Sequence, residues 1–116
     1  MILLAQVSLY LVVLLHLIFA LIESVLWCTP AVSRSFGNSV EQAQQTRILA
    51  LNQGAYNAGI SSLLFFFQWN DDLRAVQAVL CFIIVMGLIG GFSASKSIIA
   101  LQSIPALIAL VLISMF

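Results

Sequence analysis

The chain has 116 residues, of which 63 % are hydrophobic and only 7 % charged, with four basic and four acidic side chains in balance. A water-soluble domain carries about a quarter charged residues, so these few charges cannot cover its surface, and with a mean hydropathy of +1.17 the expected solvent is lipid. The zero net charge argues against a nucleic-acid partner and leaves no polybasic run for anionic headgroups.

A spanning helix needs about 20 mostly apolar residues to cross about 30 Å of hydrocarbon. The first such stretch covers residues 2–27 and is stopped by Thr29-Pro30. No basic segment precedes it and no small-residue cleavage site follows, so it is read as a retained helix, not a signal peptide. A polar loop is expected over residues 31–38. Ser39-Val40-Glu41-Gln42 has the form of a capping box, with Glu41 well placed for the helix dipole. A second helix therefore begins near residue 40 outside the bilayer, enters it near Ile48, and ends at residue 67. A polar turn over 68–72 leads to a third helix, 73–92, and a short link over 93–96 leads to a fourth, 97–116. The expected fold is all-α: a polytopic membrane protein whose four transmembrane helices form one bundle and one domain.

Trp27 and Trp69 fall at opposite ends of the spans, where indoles favour the membrane interface. Arg34, Arg47 and Lys96 lie on one side and Arg74 alone on the other. This excess places the long first connection in the cytoplasm and both termini outside, in a cell (inner or plasma) membrane. Gly87 and Gly91 make a small-xxx-small pair on the third helix, with Gly90 alongside. That face suits either another helix of the same chain or a second copy in a homodimer. Pro105 cannot donate to the Leu101 carbonyl, so a kink with a free acceptor near Gln102 is expected. Cys28 and Cys81 fall at different depths and are read as unpaired thiols. No His/Cys cluster has metal-ligand spacing, and no cofactor is expected.

The functional signal lies in the polar residues at membrane depth, because hydrocarbon penalises unsatisfied polar groups and an ionisable one there points to function. His16 and Glu23 are seven residues apart and share a helical face. Measured from Trp27, Glu23 lies about 6 Å and His16 about 16 Å into the membrane. On the second helix Asn52 and Gln53 come at about 6–8 Å, and Tyr56 and Asn57 at about 12–14 Å. Gln102 on the fourth helix falls at about 8 Å from the same side. Asn52/Tyr56 and Gln53/Asn57 are both i, i+4 pairs, so a polar stripe is expected to face inward and enclose a pocket with Glu23, Gln102 and His16.

With those residues in view, the chain resembles a family of small bacterial four-helix membrane proteins catalogued as domain of unknown function 1304. The resemblance rests on His16 with Glu23 and Leu26-Trp27, on Thr29-Pro30 and Phe36-Gly37, on the Asn52-Gln53-Gly54 and Tyr56-Asn57 signature, and on Pro105-Ala106. It implies the four-helix fold and brings no catalytic assignment. In plan the chain is also similar to small multidrug-resistance transporters, which use one membrane-embedded Glu in the first helix.

Three functions fit the sequence. The first is binding and transport of a small amphipathic or cationic molecule, with Glu23 as the proton-linked carboxylate and His16 as a second proton-active group. Asn52, Gln53, Tyr56, Asn57 and Gln102 are then its ligand contacts. The second is a membrane enzyme acting on a lipid-soluble substrate, with Glu23 and His16 as acid/base pair. The third is an accessory subunit whose polar stripe pairs with a partner protein.

Overall fold

The structure is a computed structural model that describes all residues from Met1 to Phe116. It is all-α, with six α-helices and two π turns and no strand. In chain order these are α1 (Leu3–Leu21), a π turn (Ile22–Leu26), α2 (Pro30–Ser35), α3 (Val40–Gln45), α4 (Arg47–Trp69), α5 (Leu73–Ser93), a second π turn (Ile99–Ser103) and α6 (Ile104–Met115). Two segments, Leu3–Leu26 and Leu73–Ser93, are long and apolar enough to cross a membrane. Ile99–Met115 is apolar but shorter. At 23 residues α4 has the length, and Asn52, Gln53, Tyr56 and Asn57 dilute its apolar character.

Residues 31–38 depart from the expected loop by carrying the short helix α2. Pro30 starts it, since the first helical residue needs no N–H partner and proline's fixed φ suits that place. Gly37 ends it at φ 74°. The amides of Gly37 and Asn38 turn back to the Arg34 and Ser33 carbonyls at 3.0 and 2.9 Å, a glycine-terminated cap. The capping box forms as expected: the Gln42 amide donates to Ser39 Oγ at 3.1 Å, and the Ser39 amide donates to Gln42 Oε1 at 2.9 Å. The helix it opens is interrupted at Thr46, separating α3 from α4. After α4 the chain turns through Asp71 at φ 54°, and the Asp72 carboxylate caps α5 by accepting from the Ala75 amide at 3.1 Å.

The chain forms two compact units, one of residues 1–15 and 61–116, the other of residues 16–60. In the first, Ala5, Leu9, Leu64, Leu80, Ile83, Ala106 and Ala109 are among the buried core. There the glycine face of α5 is used within the chain. A side chain at Gly87 would collide with Ser103, and one at Gly91 with Ile99. Ser103 Oγ also donates to the Ile84 carbonyl at 2.9 Å. Pro105 enters at the start of α6, not in the middle of an α-helix. The preceding π turn absorbs the missing donor, with the Ile104 amide reaching back to the Ile99 carbonyl. Deeper in this unit the Ser61 hydroxyl donates to the Val13 carbonyl at 2.8 Å.

The second unit holds the end of α1, its π turn, α2, α3 and the first half of α4. The half-buried Trp27 is its centre. Its ring packs on Phe36 with centroids 5.0 Å apart, and its Nε1 donates to Thr46 Oγ1 at 3.0 Å. The buried Ser33 hydroxyl donates to the Trp27 carbonyl at 3.1 Å, so α2 is held to the end of the π turn. Elsewhere large apolar side chains turn outward along the helices, including Leu3, Ile48, Trp69 and Phe92, each more than two-thirds exposed.

Candidate functional site

Within the second unit, α1 and α4 run past each other in opposite directions. Trp27 meets Thr46, and Ser24, one turn back, meets Gly54, two turns on. The crossing is closest at Gly54. A Cβ there would press on Ser24 Oγ and stand 3.0 Å from the Ala20 carbonyl oxygen. Such an approach is open only to glycine. It lets a side chain of modest length reach across, and here Asn57 Nδ2 donates to Glu23 Oε2 at 2.7 Å.

Glu23 lies in the π turn of residues 22–26. A π turn closes over one more residue than an α turn and is found preferentially at functional sites. Beside the carboxylate opens a hollow of about 180 Å³, lined by Glu23, Trp27, Thr46, Leu49, Ala50 and Gln53. It is an open hollow on the side of the helices, not an enclosed cavity. Its walls are an indole, two aliphatic side chains, a hydroxyl and a carboxamide, and its one ionisable group is an acid. No Lys or Arg is among the lining residues.

The expected site residues separate. Glu23 and Asn57 come together, and Gln53 joins Glu23 at the hollow. Asn52 and Tyr56 do not turn inward with them; both are exposed, Tyr56 by 66 %. The reason is helical geometry. Ala50, Gly54, Asn57 and Ser61 are spaced 4, 3 and 4 and make the buried face of α4. Asn52 and Tyr56 fall about half a turn away from it. The amide meeting Glu23 is therefore Asn57, one turn beyond the depth expected from Trp27. His16 is buried, 2 % exposed, with its ring edge-on to Phe19 at 5.7 Å. Two helical turns, about 10 Å, separate it from Glu23, and it does not line the hollow. Gln102 belongs to the other unit, where its Cβ packs beside Gly87. Trp27, read from sequence as an interfacial residue, and Thr46, which the sequence did not single out, also line the hollow. Only Trp27 carried a signal, as an indole one helical turn from an acid in an apolar run.

The chain belongs to the family described as Protein of unknown function (DUF1304), whose pattern matches residues 10–114. No curated protein and no solved structure matches it.

Proposed function

We propose that this family member is a small integral membrane protein that binds a small organic cation in the hollow beside Glu23 and carries it across the membrane, coupled to protons through that carboxyl group. The observation that carries the reading is the Asn57–Glu23 hydrogen bond at the edge of a cation-free hollow. The bond orients one carboxylate oxygen, and the hollow lies open to a ligand that supplies the missing positive charge. Trp27 contributes an aromatic surface that favours cations. Leu49 and Ala50 favour the apolar part of an amphipathic ligand. A carboxyl group that takes either a proton or the cation, and not both, links the two fluxes.

In this reading α1 with its π turn, α4, α5 and the Ile99–Met115 segment cross a cell membrane as a four-helix bundle. The α2–α3 connection, with Arg34 and Arg47 nearby, lies in the cytoplasm, and both termini lie outside. The outward-turned Leu3, Ile48, Trp69 and Phe92 support a lipid surround. Gln53 and Asn57 are the polar ligand contacts on α4, and His16 is a buried group behind them.

The test is uptake of a panel of small alkylammonium ions into proteoliposomes under an imposed pH gradient, read with an internal pH dye. Wild-type protein takes up at least one such ion in exchange for protons. Glu23→Gln keeps its helix content by circular dichroism and loses proton-linked uptake. Normal coupled transport by Glu23→Gln overturns the reading, and so does wild-type protein that neither binds nor moves any of the ions.

A further inference from the structure

We propose that the face of α4 carrying Ile48, Asn52, Ala55 and Gly59 is the contact surface for a second copy of this chain. These residues are spaced 4, 3 and 4, the same repeat as the buried row Ala50, Gly54, Asn57, Ser61 on the other side of the helix. Such spacing is that of a helix–helix seam. All four are exposed, and a Cβ placed on Gly59 would meet nothing within 4 Å. One side of α4 is thus filled by its own chain around a glycine and an asparagine. The opposite side presents an exposed asparagine and a glycine with open space beside it.

This inference rests on the membrane reading of α4. A carboxamide at membrane depth belongs against protein or a water-filled cavity, not lipid tails. The face carries no Lys, Arg, Asp or Glu that would require an opposite charge on an unlike partner. Its strongly polar group, the Asn52 amide, is both donor and acceptor and is complementary to itself. A two-fold axis along the membrane normal sets each residue at the depth of its own counterpart, so Asn52 meets Asn52 of the second copy. Ala55 and Gly59 let the two backbones approach. A single asparagine in an otherwise apolar seam fixes register and number of subunits. Tyr56 borders this seam and extends the contact. The glycine face of α5 does not serve, because Ser103 and Ile99 of the same chain already occupy it.

The experiment is disulfide cross-linking in native membranes. In a Cys28→Ser/Cys81→Ser background, Asn52→Cys, Ala55→Cys and Gly59→Cys are oxidised singly. Each is expected to yield a band of twice the 12.6 kDa chain mass. Phe65→Cys, exposed about a third of a turn away from the seam, and the natural thiol of Cys81, exposed on α5 and retained in a Cys28→Ser chain, yield none. Native mass spectrometry of the unaltered protein, released gently from membranes, is expected to show the dimer. Gly59→Leu, which fills the seam, is expected to weaken dimerisation about tenfold or more while keeping helix content. A wild-type protein that is only monomeric overturns the inference, as does equal cross-linking at Phe65→Cys or a cross-linked product containing a different protein. Glu23→Gln is expected to cross-link like wild type, so failure of the transport reading and failure of the dimer register separately.

Discussion

Replacing Gly54 by alanine tests the helix crossing on which the site depends. The added methyl group would press on Ser24 Oγ and lie 3.0 Å from the Ala20 carbonyl oxygen and 3.1 Å from the Ser24 amide nitrogen. The hydroxyl can rotate away. The two backbone atoms move only with their helix, so α1 and α4 must part by several tenths of an ångström. Overfilling a packed contact costs about 1–3 kcal/mol, while alanine in place of glycine returns about 0.5–1 kcal/mol of helix propensity. The balance is a loss of about 0.5–2 kcal/mol. Parting the helices also lengthens the 2.7 Å bond from Asn57, three residues along, to Glu23, so under the proposed function alkylammonium affinity is expected to fall with stability. The assay is reversible unfolding in detergent micelles of wild type, Gly54→Ala, Ser24→Ala and the double variant. Ser24→Ala removes the nearest obstacle and leaves the backbone contacts, so the double variant recovers part of the loss and not all of it. A Gly54→Ala protein as stable as wild type refutes the close crossing, and strict additivity with Ser24→Ala refutes the contact between the two positions.

Asn57→Ala removes the donor to Glu23 Oε2 and is expected to lower stability by about 1–2 kcal/mol and to weaken alkylammonium binding, measured by calorimetry in micelles. Unchanged affinity would detach Asn57 from the site. Ser39→Ala breaks the capping box at α3 and should cost about 1 kcal/mol, seen as faster hydrogen exchange at the Gln42 and Ala43 amides. Asp71 holds a left-handed conformation that glycine adopts more readily, so Asp71→Gly is expected to stabilise by about 0.5–1 kcal/mol in the same unfolding assay. In α5, Gly87→Ala meets the backbone nitrogen of Ser103 at 3.0 Å, whereas Gly90→Ala meets only side-chain methyl groups of Ile98, at 3.3 and 3.5 Å. The first should destabilise by about 1–2 kcal/mol and the second should be near neutral, a contrast that thermal melts resolve.

The helical segments could be read from the chain because they depend on local physics. Apolar run length marked residues 2–27 and 73–92, and the observed helical segments, Leu3–Leu26 and Leu73–Ser93, fall within a residue or two of them. The Ser39 and Gln42 pair announced a helix start because a cap needs only its own backbone to form. The short helix α2 was also written locally, in Pro30 and Gly37, but the polar composition between them pointed to a loop. Glu23 stood out as an acid in an apolar run, and its asparagine partner was one of several amides within reach in depth.

Tertiary structure decided which amide it is. Both sides of α4 carry small and polar residues at helical spacing, Gly54 with Asn57 on one and Asn52 with Gly59 on the other, so periodicity alone cannot say which turns inward. That choice came from the partner helix: α1 offers Ala20 and Ser24 at the crossing, and only the Gly54 side lets its backbone come close enough for Glu23 to reach Asn57. The same holds at Pro105, where the missing N–H was evident from the residue type. Its accommodation by a π turn, with Ser103 seated on Gly87, depended on a neighbouring helix. Composition and length therefore set the apolar helices. The identity of the paired side chains followed from helix–helix contact, a non-local property that no single segment encodes.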